Sequence, residues 1–259
     1  MESSNQQPIS AGDKHYKAYI GPPSKYDLVS AMQFNLVTAF GIRDSDKLLD
    51  IGCGSLRFGK LMIPYLQRGN YFGIEPNEWL IEDGVKNELG QDILTVKQPR
   101  FMPSDSFELS AFEVKFDYMV AQSIFSHTSQ AQIHQCLKEV KATLKATGVL
   151  LATFVEGDTN YEGEEWVYPG CVTFTQKHIK DMVKKDGLET IRTTWGHPNR
   201  QTWYAIFHPE NKASVKARVK NLHRANKVSL PLKERLKRYR IINNKLILGL
   251  YRVFKPLPQ

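Results

Sequence analysis

The sequence has few cysteines and no long apolar run, and both absences narrow the class of protein. Its 259 residues include only three cysteines, Cys53, Cys136 and Cys171. They are too few for a disulfide framework and lack the spacing of a zinc site. The first ten residues are polar, unlike a signal peptide, and no apolar run approaches the ~18 residues that a membrane-spanning helix needs. We therefore expect a reduced, cytoplasmic protein without a metal site.

The sequence also lacks an even distribution of charge. Its formal net charge of +8 would by itself indicate nucleic acid or an anionic membrane as a partner. Residues 212–259 contain 14 lysines and arginines and one acidic residue, Glu234, whereas residues 1–211 contain 21 basic and 26 acidic residues. An acidic body at −5 therefore precedes a basic tail at +13.

The basic tail has an apolar stripe at helical spacing. Val215, Val219 and Leu222 predict one helix, and apolar residues three or four apart predict a second helix after Pro231. Such a basic amphipathic helix can lie on an anionic membrane surface. It can equally dock on the protein's own acidic body or on a second subunit. RNA is a less favoured partner because the tail lacks interleaved aromatic residues.

Strand-like and helix-like segments alternate along the body of the chain. The strands are predicted at 47–52, 71–75, 100–102, 116–121, 148–155, 189–195 and 202–208, and the helices at 26–40, 56–66, from 76, at 130–144 and at 175–185. This alternation predicts an α/β fold with a doubly wound, mostly parallel sheet, and the last two strands are close enough to form an antiparallel hairpin. We expect three parts: a polar N-terminal segment (1–23, loose up to residue 18), a domain (24–211) and the helical tail (212–259).

A glycine-rich turn between the first strand and its helix is the most informative segment. Gly52 and Gly54 allow a ligand to approach the backbone, and Glu75 ends the next strand, where a carboxylate can accept hydrogen bonds from a ribose. Asp50 would repel a pyrophosphate but attract an ammonium group. Arg57 occupies the position of the third glycine of a dinucleotide-binding loop. The turn therefore predicts a nucleoside with an amino-acid tail rather than a dinucleotide.

These motifs resemble a known family. Asp-Ile-Gly-Cys-Gly-Ser at 50–55 is similar to the first motif of class I S-adenosylmethionine (SAM)-dependent methyltransferases. Residues 73–76 resemble the end of the family's second strand, and residues 116–127 resemble its fourth strand and exit loop. The resemblance covers about residues 24–208. It implies a seven-stranded sheet of order 3-2-1-4-5-7-6 and SAM as the cofactor.

The resemblance also implies a role for each residue that matches a motif. Asp50, Gly52 and Gly54 would hold the methionine end of the cofactor, and Glu75 would hold the ribose. Asp105 or Phe107 would flank the adenine. Gln122 and Ser123 would form the floor under the sulfonium. Each role has an alternative. Gly52 and Gly54 can simply form a tight turn, Asp105 can be an ordinary loop carboxylate, and Ser123 can cap the end of its strand.

Methyl transfer to an oxygen usually requires a base, and His127 is the candidate. It follows the fourth strand, at the edge of the sheet where open α/β folds bind ligands, and an unperturbed histidine titrates near pH 6.5. The alternative is that His127 caps the helix that follows Ser129. Glu156, Asp158 and Asn160 depart from the spacing of a magnesium site, which favours a solvated acidic loop.

The acceptor site is expected on loops above the sheet. The candidate residues are Tyr19, Tyr26, Trp166, Tyr168, His197, Arg200 and Gln201. Aromatic rings combined with histidine, arginine and glutamine suit a polar, ring-shaped acceptor such as a sugar. Tyr26 can instead belong to the core face of its helix.

The sequence therefore leads to one first hypothesis and two alternatives. The first is a SAM-dependent methyltransferase that acts on a hydroxyl of a small molecule, glycan or glycolipid. The second is an RNA or ribosome methyltransferase whose tail holds phosphates. The third is a non-catalytic partner protein that binds SAM.

Overall fold

Seven strands form one sheet in the computed structural model, which describes residues 9–225. The strands are β1 (Leu48–Ile51), β2 (Tyr71–Ile74), β3 (Arg100–Met102), β4 (Phe116–Ala121), β5 (Leu144–Phe154), β6 (Glu189–Arg192) and β7 (Thr202–Phe207). Their order is β3-β2-β1-β4-β5-β7-β6. The first five strands are parallel, and β7 is antiparallel to both β5 and β6. The predicted fold class and strand order are confirmed.

Helices cover both faces of this sheet. They are α1 (Tyr26–Ala39), α2 (Gly59–Tyr65), α3 (Glu78–Gly84), α4 (Asp92–Lys97), α5 (Gln130–Thr143), α6 (Gln176–Lys185) and α7 (Lys212–Ala225). A π-helical turn, Val85–Leu89, continues α3. The prediction placed the end of α5 one residue late and the start of β5 four residues late, because Leu144 already pairs with Phe116 of β4.

The strands alternate between two apolar cores. On β7, Tyr204 and Ile206 face the core that α5 and α6 cover, while Trp203, Ala205 and Phe207 face the core beneath α1, α2 and α7. All five of these residues are fully buried. A parallel sheet that is buried on both faces leaves only its strand ends open to a ligand. The carboxyl ends of β1, β2 and β4 are therefore the place to look for a site.

The N-terminal segment is ordered where the sequence predicted a loose chain. Ala18 is fully buried, and Lys17 forms an ion pair with Glu88 at 3.0 Å. The Tyr16 hydroxyl donates to the same carboxylate at 2.9 Å. The expectation of looseness up to residue 18 is wrong for this stretch, because its two large polar side chains share a partner on the turn that continues α3.

The first helix of the basic tail is part of the domain's core. Val215, Val219 and Leu222 on α7 are at most 5% exposed and pack in the core beneath α1 and α2. This stretch therefore docks on the body of its own chain, one of the alternatives that the sequence left open. The second predicted helix, after Pro231, lies outside the described residues. Among residues 9–225, no helix is both long and apolar enough to cross a membrane.

We expect Leu222→Ala to lower the free energy of unfolding by about 2–5 kcal/mol, because it removes a buried side chain from a packed core. Chemical denaturation measures this change. Asn221→Ala, at the neighbouring exposed position, is the matched control and should change stability by less than about 0.5 kcal/mol. Equal effects of the two substitutions would contradict the packing of α7.

Candidate active site

A cavity of about 440 Å³ lies at the carboxyl ends of β1, β2 and β4. This volume falls within the range of about 300–1,000 Å³ that small-molecule and cofactor pockets have. Its wall comes from the glycine-rich turn after β1, the residues that follow β2, β3 and β4, and two loops that cover it, residues 19–20 and 166–168. The fold therefore places the cavity where the sequence predicted a ligand.

The turn after β1 has a backbone that few residues adopt. Gly52, Gly54 and Leu56 have φ values of 71°, 53° and 59°, in the left-handed region. A Cβ on Gly52 would lie 2.1 Å from Ile124 Cδ1, and one on Gly54 would lie 2.9 Å from Ile20 Cγ2. The two glycines are therefore required both by conformation and by space. Leu56 tolerates the strain while its side chain is fully buried.

Asp50 lies at the end of β1 beneath this turn. Its Oδ2 accepts a hydrogen bond from the Tyr71 hydroxyl at 2.7 Å. Burial raises the pKa of Asp50 to about 7, and the nearby Glu75 carboxylate adds to the rise. A buried carboxylate of this kind is stabilised by a cation, and an ammonium group from a ligand is a suitable partner.

Glu75 is held in place at the end of β2. Its Oε2 accepts from the Gly54 N–H at 3.1 Å, which ties the second strand to the glycine-rich turn. Its Oε1 accepts from the backbone N–H of Asn77 at 3.0 Å and from Asn77 Nδ2 at 2.9 Å. Burial raises the pKa of Glu75 despite these donors. Asn77 was missed by the sequence analysis, and its position two residues after Glu75 was the available signal.

His127 has a defined tautomer. Its Nδ1 lies 2.9 Å from the carbonyl oxygen of Val167 and 2.7 Å from that of Gly170. Because both partners are acceptors, Nδ1 carries the proton and Nε2 keeps its lone pair. Burial lowers the pKa of His127 below its usual 6.5, which favours the neutral ring. The helix cap is Ser129 with Gln132, so His127 does not serve as the cap.

The predicted cofactor residues all line this one cavity. They are Asp50, Gly52, Gly54, Glu75, Asp105, Phe107, Gln122 and Ser123. His127 and three of the predicted acceptor residues, Tyr19, Trp166 and Tyr168, line it as well. Further lining residues that the sequence analysis did not assign are Ile20, Arg57, Asn77 and Leu80.

Four predicted acceptor residues do not line the cavity. Tyr26 is 1% exposed, and its hydroxyl donates to the Ser55 carbonyl at 2.9 Å behind the turn. His197 lies behind Gln122, with 3.0 Å between their Nε2 atoms, and burial lowers its pKa to about 3. Gln201 donates to Ser123 Oγ at 2.7 Å from outside the cavity wall. Arg200 lies in the exposed β6–β7 loop.

The two covering loops meet above the cavity. The rings of Tyr19 and Tyr168 have centroids 5.8 Å apart, and the Tyr168 hydroxyl donates to the Tyr19 carbonyl. Tyr19 also packs edge-on against Trp79 at 5.3 Å. Trp166 is 44% exposed beside His127, with ring centroids 5.6 Å apart. A partly exposed aromatic ring therefore lies beside His127 at the cavity.

Glu156 is not a solvated loop carboxylate. Arg192 donates to both of its oxygens, at 2.7 and 2.9 Å, and the Tyr204 hydroxyl donates to it as well. The expectation of a solvated acidic loop is wrong at this position. Among residues 9–225, no cluster of three or more His, Cys, Asp and Glu side chains could hold a metal ion.

Comparisons with known proteins agree with this geometry. Residues 49–150 match a family described as a methyltransferase domain. Among solved structures, the magnesium protoporphyrin IX methyltransferase ChlM from Synechocystis PCC 6803 with bound SAM has a TM-score of 0.51 at 14% identity, over 70% of this chain and 79% of that one. A SAM-dependent methyltransferase from Clostridium acetobutylicum ATCC 824 has a TM-score of 0.51 at 13% identity, over 71% of this chain and 92% of that one. The glycopeptide N-methyltransferase MtfA with S-adenosyl-L-homocysteine has a TM-score of 0.53 at 12% identity, over 71% of this chain and 90% of that one. No curated protein sequence matches significantly.

The matched domain, residues 49–150, and the sheet order show the class I SAM-dependent methyltransferase fold. The residues that line the cavity fit SAM as the cofactor. Asp50 suits the ammonium group and Glu75 suits the ribose hydroxyls, and Gly52 and Gly54 line the same cavity without side chains.

We expect the affinity for S-adenosylhomocysteine, the cofactor's product form, to fall about tenfold between pH 8 and pH 6. With a raised pKa of about 7, Asp50 is ionised above that pH and loses its attraction for the ammonium group as the pH falls through it. Calorimetric titration measures the affinity. Asp50→Asn should remove the pH dependence, whereas Asp181→Asn, on the exposed face of α6, should keep it.

Proposed function

We propose that this enzyme transfers the methyl group of SAM to a hydroxyl of a small molecule, glycan or glycolipid, with His127 as the general base. The observation that carries the proposal is the tautomer of His127. Its Nδ1 donates to the backbone carbonyls, which leaves Nε2 unprotonated in the neutral ring, and His127 lines the same cavity as the predicted cofactor residues. A hydroxyl needs such a proton acceptor, whereas an amine is already nucleophilic once it is neutral.

The surroundings of His127 suit its task. The cofactor supplies a methyl group already activated on a sulfonium, so the chain's own residues need only orient the acceptor, exclude water and take one proton. The side chain of His127 is 94% buried by neighbours that include Trp166 and Tyr168. Burial keeps the ring neutral at physiological pH, so that Nε2 can accept the proton of a hydroxyl held beside it.

The aromatic rim favours a ring-shaped acceptor. Tyr19, Tyr168 and the exposed Trp166 form a surface on which the apolar face of a sugar or an aromatic ring can pack. Among similar structures, MtfA is named a glycopeptide N-methyltransferase and ChlM a methyltransferase of a porphyrin. These names support a small-molecule or glycan acceptor for this chain, although neither relative exceeds 14% identity.

The remaining parts of the proposal concern location. A cytoplasmic enzyme, peripheral at an anionic membrane through the basic residues after 225, would bring the cavity to a glycolipid. A nucleic-acid acceptor is disfavoured because the body of the chain, residues 1–211, carries more acidic than basic residues. It therefore offers phosphates no general attraction.

We expect His127→Asn to lower kcat by about 10²–10⁴-fold, because asparagine can still donate to the two carbonyls but provides no base. Binding of S-adenosylhomocysteine should stay unchanged, and His134→Asn, on α5, is the control. With SAM saturating, kcat of the unaltered enzyme should be constant at neutral pH and fall only below pH 6.5, since the lowered pKa keeps the base neutral above that value. Full turnover by His127→Asn would refute the assignment of the base.

The acceptor class is tested with SAM that carries an isotope-labelled methyl group. The enzyme is incubated with a cell extract, and the label is followed by mass spectrometry in the small-molecule, glycan, lipid, RNA and protein fractions. We expect the label in one of the first three fractions, and none with the His127→Asn variant. Label confined to RNA or protein would overturn the proposed substrate class.

A further inference from the structure

Arg57 is a buried cation that forms no salt bridge. It is 8% exposed and lines the cavity directly after the glycine-rich turn. None of the ion pairs within the described part of the chain includes it. Burial lowers its pKa to about 10, and the attraction of the Asp50 carboxylate opposes this shift without cancelling it. A buried charge that makes no salt bridge is costly, and an anionic ligand would offset that cost.

The hydrogen bonds of Arg57 leave part of its guanidinium free. Nη1 donates to the Ile20 carbonyl at 3.0 Å, and Nη2 donates to Gln122 Oε1 at 2.5 Å. Nε is buried and has no partner among residues 9–225. Each Nη carries two N–H groups and uses one of them here, so both keep an N–H that can donate to the oxygens of a carboxylate.

A second unpaired polar side chain lines the same cavity. Gln33, on the inner face of α1, is 2% exposed, and no side-chain hydrogen bond joins it to another described residue. Buried amides are nearly always hydrogen-bonded in folded proteins. Its amide is therefore available to a ligand, and its NH₂ group can donate to the same kind of oxygen that Arg57 binds.

We propose that Arg57, assisted by Gln33, holds the α-carboxylate of the cofactor's amino-acid end and makes the enzyme select for it. This inference rests on the proposed use of SAM. Asp50 and Arg57 both line the cavity at the glycine-rich turn, so that the two charges offer opposite partners to the ammonium and carboxylate of a zwitterion. The family's motifs assign no role to Arg57, which stands where dinucleotide-binding loops have a glycine.

The neighbours of Arg57 hold the guanidinium in position before the ligand binds. The Ile20 carbonyl belongs to the covering loop, and Gln122 ends β4 and is backed in turn by His197. Because two rigid partners fix the side chain, little conformational entropy remains to be lost when a carboxylate arrives. Arg57 also links the covering loop to the floor of the cavity.

The test compares S-adenosylhomocysteine with its decarboxylated analogue, which lacks only the α-carboxylate, by calorimetric titration without any acceptor. We expect the unaltered protein to bind S-adenosylhomocysteine on the order of 10- to 100-fold more tightly than the analogue. Arg57→Gln should lower the affinity for S-adenosylhomocysteine by a similar factor and leave the affinity for the analogue unchanged. Gln33→Leu should reduce the preference in the same direction by a smaller factor.

The controls separate this inference from the proposed function. Arg43→Gln, at an exposed position, should change neither affinity, and thermal melting checks that each variant is folded. Failure of the unaltered protein to bind either ligand would refute the use of SAM itself. Equal affinities of the unaltered protein for both ligands, or an equal loss of both in Arg57→Gln, would overturn only the role of Arg57. Unchanged binding of S-adenosylhomocysteine by Arg57→Gln would also overturn it, and would leave the guanidinium for a carboxylate of the acceptor.

Discussion

The turn between β1 and α2 is the constraint on which the site depends. Three of its residues, Gly52, Gly54 and Leu56, adopt positive φ values within five positions of the chain. This conformation brings the backbone N–H of Gly54 to the carboxylate of Glu75 on the next strand. It also directs the chain so that Asp50 before the turn and Arg57 after it line one cavity. A Cβ on either glycine would press on the side chain of Ile124 or Ile20 and would also have to adopt a strained positive φ, so the turn favours glycine at both positions.

The sheet converts this local turn into a complete site. Because β1, β2 and β4 are parallel neighbours, their carboxyl ends deliver Asp50, Glu75 and Gln122 to the same edge. Apolar layers on both faces hold the strands in register, so the three side chains are positioned by the rigid part of the fold. The loops above the sheet complete the site. One supplies the carbonyls of Val167 and Gly170 that fix the tautomer of His127.

The residues that the sequence assigned to the cofactor all line the cavity, whereas only some of those assigned to the acceptor do so. Gly52, Gly54 and Glu75 belong to short segments whose spacing alone places them at strand ends. Tyr26, His197 and Gln201 were misplaced because a loop's position above a sheet depends on packing between distant segments, which periodicity does not encode. The start of β5 was misplaced for a similar reason. Leu144 belongs to this strand because it pairs with Phe116 of β4, a contact between distant segments.

The available signal for Arg57 was chemical rather than periodic. Arg57 breaks the glycine pattern of a familiar loop, and a charge at such a position indicates a charged ligand. Gln33 was expected near the acceptor rather than near the cofactor, and it lies on the buried face of α1 together with Ser30 and apolar residues. The sequence does not show that Arg57 and Gln33 are buried. Their proposed contact with a ligand depends on that burial.

The central claim is that this cavity binds a nucleoside with an amino-acid tail and not a dinucleotide. Parallel calorimetric titrations of the unaltered protein with S-adenosylhomocysteine and with NAD⁺ test it most directly. We predict one molecule of S-adenosylhomocysteine bound per chain, and no measurable heat of binding for NAD⁺, because Asp50 would face its pyrophosphate. Binding of NAD⁺ at this site in preference to S-adenosylhomocysteine would contradict the account.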